Sequence, residues 1–288
     1  MGLIINSPSG MDSGYYRKKR QAEIEHRGGA SMSNEEFQRE YYEKPNGNGG
    51  LSDSGTSVFD PVLCELQYAW YTREGDSILD PFAGGSVRGI VAAKMGRRYT
   101  GVELRPEQVE ANVAQAEEIC DALNPEWIVG DSAGIDELVP ADGFDFMLTC
   151  PPYADLEVYS DDPADLSNMP LDGFIDAYRA IMAKAVAKLA NDRFAVVVIG
   201  DARGKDGFYY NLPGITVQAM EEAGARYYNE AILITPVGSL PIRVGKQFTA
   251  SRKLGKTHQN VLTFVKGDAR KAAERIGDVA LAELVESN

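Results

Sequence analysis

The sequence predicts an α/β fold, a doubly wound, Rossmann-like sheet of mostly parallel strands, and three observations carry that expectation. The first is Ser77 to Ser86, read as Ser-Ile-Leu-Asp-Pro-Phe-Ala-Gly-Gly-Ser. An apolar run ends there on an acid, a proline opens a turn, and helical spacing resumes at Val87, Ile90, Val91 and Met95. The second is a series of later apolar runs that close on acids: Tyr99 to Leu104 with Glu103 at its end, and Trp127 to Val129 ahead of Gly130-Asp131. The third is Arg193 to Gly200, a near-continuous apolar run of the kind that a strand buried on both faces of a parallel sheet requires.

Taken in order, residues 1–55 are poor in aliphatic side chains and rich in Gly, Ser and charge, which reads as a mobile polar arm with at most one short helix. It carries the basic run Arg17-Lys18-Lys19-Arg20. Helical spacing of Val58, Leu63, Leu66 and Trp70 behind Asp60-Pro61 predicts a helix that starts at the proline. In the loop after Leu79, Gly84 and Gly85 lack a Cβ, so the backbone can bend sharply and approach a ligand beside the first N–H groups of the next helix. No Lys-Ser/Thr pair follows the glycines and the full G-x-G-x-x-G spacing is missing, which counts against a phosphate. A carboxylate at Asp80 favours a cationic nucleoside instead, such as S-adenosylmethionine with its ammonium group. Glu103, about 20 residues beyond the loop, stands where an acid accepts both ribose hydroxyls. Asp131 is then a candidate acceptor for the adenine amino group, or a plain helix cap.

The next strand, Phe144 to Thr149, ends in Cys150-Pro151-Pro152-Tyr153. Asp-Pro-Phe-Ala-Gly followed by x-Pro-Pro-Tyr at a strand end resembles the S-adenosylmethionine-dependent amino-methyltransferases of DNA, with the cofactor half before the catalytic half as in the family's gamma arrangement. The resemblance covers roughly residues 57 to 267. It implies a seven-stranded sheet with an antiparallel edge hairpin, S-adenosylmethionine as cofactor, and double-stranded DNA as partner with the target base flipped out. Cofactor contacts carry over to Ser57, Phe59, Asp80, Pro81, Phe82, Ala83, Gly84, Gly85, Glu103 and Asp131, and catalysis to Cys150, Pro151, Pro152 and Tyr153. Such enzymes methylate adenine N6 or cytosine N4, and restriction-modification is the setting that the resemblance implies.

The chemistry accounts for that grouping. An exocyclic base amine donates its lone pair into the ring and becomes nucleophilic only when acceptors hold its N–H groups. Neither proline has a backbone N–H, so the loop presents carbonyls, and Tyr153 offers a face for a flipped base to stack on. The departure is Cys150, where the family carries Asp, Asn or Ser. A thiol is a weak acceptor and, with a pKa near ~8.5, mostly protonated at neutral pH. Because Ser is the family's cytosine-N4 form, the substitution leans toward cytosine, while a degenerate scaffold that only binds is the rival from another class. Guanine-N2 methylation of RNA and glutamine methylation of protein also use Pro-Pro-Tyr motifs.

Ala154 to Asp172 reads as a long acidic loop, a lid or base-recognition segment, before a helix from Phe174 to Leu189. Gly214 to Ala223 is a helix, and Ala231 to Thr235 and Val261 to Val265 are two strands. Between them Pro236 to Thr257 reads as a loop bearing Arg243, Lys246, Arg252, Lys253 and Lys256 with no acid, which suits phosphate contacts, with Phe248 to probe a base step. A C-terminal helix, Ala272 to Val285, packs on the sheet edge or joins a second subunit as a homodimer. The chain thus divides into an arm (1–55), a catalytic domain (56–267) and a C-terminal helical segment (268–288).

Composition bounds the rest. With 288 residues, 44% hydrophobic and 25% charged, the chain has enough apolar material for one α/β domain with appendages. No apolar run reaches membrane-spanning length and no secretory segment opens the chain, so a cytoplasmic protein without a membrane partner is expected. Three widely spaced cysteines and two histidines indicate neither a disulfide framework nor a zinc site. A net charge of -14 makes any local basic cluster informative.

Overall fold

The structure is a computed structural model, and it describes residues 3–6, 59–120, 124–153, 160, 162–234 and 240–279. Ser57, the Arg17–Arg20 run, seven residues of the acidic loop (154–159 and 161) and residues 280–288 lie outside the described residues. The expected helix Ala272–Val285 is corrected to Ala269–Ile276, which ends at Gly277.

One sheet of eight strands organises the chain. In chain order these are β1 (Leu3–Asn6), β2 (Ser77–Asp80), β3 (Arg98–Glu103), β4 (Glu126–Val129), β5 (Phe144–Thr149), β6 (Leu189–Ile199), β7 (Arg226–Ile234) and β8 (His258–Lys266). Their spatial order is β1-β7-β8-β6-β5-β2-β3-β4, and β8 alone runs antiparallel to its neighbours. Seven strands make the expected mostly parallel, doubly wound sheet. The eighth, β1, pairs parallel with β7 through Leu3↔Ala231 to Asn6↔Ile234. It lies within the stretch read as a polar arm, at Leu3-Ile4-Ile5, a short β-prone run in otherwise polar surroundings. The β7–β8 pair is the expected antiparallel hairpin toward that edge of the sheet, with β8 between β6 and β7.

The helices follow their punctuation. Helix α1 (Pro61–Tyr71) starts where Asp60 accepts hydrogen bonds from the Val62 and Leu63 N–H groups, with proline in the first turn. Then come α2 (Val87–Lys94), α3 (Pro106–Ile119), the short α4 (Ile135–Leu138), α5 (Leu171–Lys188), α6 (Leu212–Glu222), α7 (Leu240–Ser251) and α8 (Ala269–Ile276). Helix α7 corrects the sequence reading, which made 236–257 a loop. Leu240, Ile242, Val244 and Phe248 punctuate a strongly polar segment, too sparse a pattern to signal a helix. The core lies where α5 and α6 cover the central strands: Phe174, Tyr178, Ile181 and Met182 pack with Leu79, Met147, Val197 and Phe264, all buried. Each such side chain contributes about 1.5–3 kcal/mol.

At the end of the sheet away from the loops, Asp145 ties four elements together. It accepts from the Ser77 N–H and hydroxyl and from the guanidinium groups of Arg193 and Arg275, and Arg275 also pairs with Asp76. Burial alone would raise the Asp145 carboxyl, but the Ser77 N–H and the two guanidinium groups outweigh it and hold the group below its ordinary value. Folding therefore favours the ionised form. Its contribution is complete above the unfolded carboxylate value near ~3.9 and is lost as pH falls through the lower folded value. Asp145→Asn should be less stable than the parent at neutral pH, and the difference should shrink below about pH 4 in thermal unfolding followed by circular dichroism.

Candidate active site

The sheet reverses its winding between β2 and β5, so the carboxyl ends of those strands open the crevice in which open α/β sheets bind ligands. Asp80 ends β2 and Thr149 ends β5, and they touch: the Thr149 hydroxyl donates to Asp80 Oδ1 at 2.7 Å. The Phe82 N–H donates to the same oxygen at 3.1 Å. Oδ2 takes Arg88 Nε at 2.6 Å and the Tyr99 hydroxyl at 2.8 Å. A carboxylate offers about four acceptor positions, and these four donors fill them. Asp80 has no exposed surface. With all four positions facing protein, Asp80 builds the loop from behind.

Arg88, which the sequence reading passed over, completes that frame. Its Nη2 donates to the carbonyls of Phe82 at 2.7 Å and Ala83 at 2.9 Å, so one guanidinium binds the carboxylate and both carbonyls of the turn. Burial would lower the Arg88 pKa, but Asp80 more than compensates and raises it. Arg88 therefore stays charged although it is buried.

On this frame sit the exposed parts of the loop. Pro81 and Ala83 are buried; the Ser132 hydroxyl donates to the Pro81 carbonyl and the Ala83 N–H to the Val102 carbonyl at 2.9 Å. Gly84 is left-handed, with φ +51°, and a Cβ at Gly84 or Gly85 would meet nothing within 4 Å. Both glycines thus face open space. Glu103 Oε2 accepts from the Gly84 N–H at 2.9 Å and Oε1 from the Arg105 N–H at 3.1 Å, which fixes the carboxylate at the rim of the loop. Burial raises the Glu103 pKa above its ordinary value, against the opposing pull of the Arg105 and Gly84 N–H groups and the Arg105 charge. Asp131 is exposed at the end of β4, where one oxygen caps the following turn through Ala133 N–H at 2.8 Å. Phe82 is half-buried with its ring 6.1 Å from that of Tyr178. Phe59, half-buried, stands two residues before α1.

Beside the loop, Cys150 to Tyr153 leaves β5. Pro151 is buried, whereas Cys150, Pro152 and Tyr153 are half-buried. The Tyr153 hydroxyl accepts from Gln259 Nε2 at 2.6 Å and lies 3.8 Å from the Cys150 sulfur. Its ring edge packs over Gly200, where an added Cβ would approach to 3.3 Å. The start of β8 and the end of β6 thus fix a residue on the β5 loop. Gln259 was missed because nothing local in the sequence links it to position 153. Of the basic cluster, Arg252 is exposed and Lys253 half-buried just beyond α7, while the side chains of Arg243 and Lys246 lie outside the description.

The Asp80–Arg88 frame makes a direct prediction. Arg88→Ala and Asp80→Ala each leave the other charge buried without its partner, and each should cost about 3–5 kcal/mol in urea unfolding. The double variant Asp80→Ala/Arg88→Ala should cost less than the sum of the two.

With this geometry in view, residues 69–115 match the DNA methylase family profile for N6 and N4 methylation. That segment contains the glycine loop, Arg88 and Glu103, and ends before Cys150-Pro151-Pro152-Tyr153. A type II methyltransferase of Streptococcus pneumoniae, M2.DpnII, is 46% identical over 39 residues, which cover 14% of this chain and 15% of the relative. M.Cfr9I of Citrobacter freundii is 45% identical over 42 residues, covering 15% of this chain and 14% of the relative. The chain therefore spans about a seventh of the length of the curated relatives it matches. A solved methyltransferase from Pyrococcus furiosus is 16% identical, with a TM-score of 0.48 over 87% of this chain and all of the other. Over the glycine-loop unit of residues 69–115, the chain is similar to the DNA methylase family.

Proposed function

We propose that the chain transfers a methyl group from S-adenosylmethionine to an exocyclic amino group of a base in DNA, cytosine N4 or adenine N6. The observation that carries this reading is the open, left-handed glycine at 84 with the Glu103 carboxylate fixed against it, adjacent at the sheet's reversal to Cys150-Pro151-Pro152-Tyr153. The site fits the cofactor: both glycines face open space, and a rim carboxylate is oriented for a diol. Glu103 would take the ribose hydroxyls, Gly84 and Gly85 the close backbone approach, and Asp131 the adenine amine. The cofactor supplies an electrophilic methyl group on sulfur. The protein's own part is to hold the target amine with the Pro151 carbonyl and Cys150, with the base stacked on Tyr153, so that its lone pair points along the transfer direction.

In this reading residues 56–267 form the catalytic unit, double-stranded DNA is the substrate with its base flipped out, and Arg243, Lys246, Arg252 and Lys253 contact phosphates. The substrate test is a tritiated-methyl transfer assay on DNA, RNA and mixed protein side by side. Label in DNA that resists RNase and protease supports the proposal, and label confined to RNA or protein rejects it.

Two variants test the site. Cys150→Ser should keep or raise turnover, because a hydroxyl accepts better than a thiol, whereas Cys150→Ala should lower it by about tenfold, the equivalent of one modest hydrogen bond. A dead Cys150→Ser that traps a covalent adduct on a fluorinated pyrimidine would make the thiol a nucleophile instead. For Glu103, the ionised form accepts both hydroxyls and its pKa lies above the ordinary value. Cofactor affinity by calorimetry should therefore fall as pH drops through that raised value, sooner than for a solvated carboxylate. Glu103→Gln should bind more weakly at neutral pH and show a flat profile.

A further inference from the structure

The segment Arg203 to Tyr209 follows β6, and the structure makes it a hairpin. Arg203 and Tyr209 form an isolated antiparallel bridge. Gly204 N–H donates to the Phe208 carbonyl at 2.9 Å, Gly207 N–H to the Gly204 carbonyl at 2.8 Å, and Tyr210 N–H to the Ala202 carbonyl at 3.0 Å. Asp206 spends one oxygen on the Phe208 N–H at 3.0 Å, so that acid serves the turn itself. At the tip Phe208 is 75% exposed, more than any other large hydrophobic side chain among the described residues. Beside it the Arg203 guanidinium lies 3.7 Å over the Tyr209 ring.

A lone exposed phenylalanine needs no explanation, but this one has company. The Lys253 ammonium sits directly on Gly207, so that any side chain there would collide with it. That contact brings the segment following α7 against the hairpin. Leu254 is exposed on that segment and Phe248 on α7 itself, and Arg252 lies over the Phe248 ring at 5.2 Å. Exposed apolar side chains and cations thus accompany each other on the hairpin and on the stretch from Phe248 to Leu254, in a chain whose net charge is -14. Both segments connect along the chain to the candidate active site: Gly200, three residues before the hairpin, packs against the Tyr153 ring, and Gln259, just past the basic segment, donates to the Tyr153 hydroxyl.

We infer that the Arg203–Tyr209 hairpin is a nucleic-acid contact in its own right, with Phe208 as a rigid platform that stacks on an unpaired or opened base of DNA next to the target, and with Arg203 and Lys253 holding the flanking phosphates. The inference rests on the proposed DNA substrate. Its chemistry is that of single-strand-binding surfaces, where cations follow the backbone and aromatic faces take bases whatever the sequence. Because the hairpin is already ordered by its own hydrogen bonds, little conformational freedom is lost when a base lands on it.

The test measures binding of the full chain to a fluorescein-labelled mixed-sequence DNA duplex and to its separated strand, by anisotropy over a range of salt. Phe208→Ala should weaken binding to the single strand about tenfold without changing the slope of log affinity against log salt, and Phe208→Trp should restore it. Lys253→Gln should instead flatten that slope by roughly 0.7. Thermal unfolding and S-adenosylmethionine affinity should be the same in Phe208→Ala as in the parent, since Phe208 is exposed and lies outside the cofactor loop. Unchanged DNA binding by Phe208→Ala, or full rescue by Phe208→Leu, overturns the inference and leaves the proposed function standing. A parent chain that binds neither DNA, or that prefers the same strand as RNA, overturns both. If Phe208→Ala dissociates a dimer in sedimentation while binding DNA normally, the surface joins two copies of this chain and the inference is wrong.

Discussion

Everything at the crevice depends on one buried ion pair. Asp80 and Arg88 are eight positions apart in the chain but belong to consecutive elements, β2 and α2, with the glycine turn between them. Pairing them closes the turn, and the remaining donors of Arg88 draw in the carbonyls that the turn would otherwise leave unsatisfied. Desolvating two charges is costly, and a hydrophobic pair of the same shape would often be at least as stable. What the ion pair supplies is direction. Two apolar side chains could slide, whereas a carboxylate with four directed donors holds the loop in one conformation and leaves the outer face of Gly84 and Gly85 open.

The same cluster connects the two halves of the crevice. Thr149 belongs to β5 and Tyr99 to β3, so the carboxylate is shared by three neighbouring parallel strands and by α2. Cys150 follows Thr149 directly. A displacement of the glycine turn is thereby felt at the start of Cys150-Pro151-Pro152-Tyr153 through a single side chain, which keeps the cofactor side and the base side of the proposed reaction in a fixed relation.

Local pattern made much of this legible. A strand that ends on an acid, a proline turn and glycines before a helix can be read without tertiary information, and the strand ends at Glu103, Val129 and Thr149 follow from hydrophobic runs and their polar stops. Partnership could not be read. Asp80 looks the same in sequence whether it faces a ligand or a buried guanidinium, and Arg88 lies in an otherwise apolar helical stretch where its one signal is a charge on the buried face. Gln259 and Tyr153 are brought together only by the insertion of β8 beside β6. Helix α7 was missed because its apolar positions are few, and β1 because four residues form a strand only with β7 to pair against.

The connection between β7 and β8 has a property that follows from register alone. Ile234, the last residue of β7, is the direct cross-strand partner of His258, the first of β8. The chain from 235 to 257 therefore leaves the sheet and returns to it at one point, like a flap on a single hinge. Closing a longer or shorter excursion over so small a gap changes the chain entropy only slowly with length. Evolution, or a designer, can exchange this excursion as a cassette while β8 keeps its place between β6 and β7 and the crevice stays intact. Within the proposed DNA contact, a change of recognition on this excursion leaves the buried carboxylate untouched.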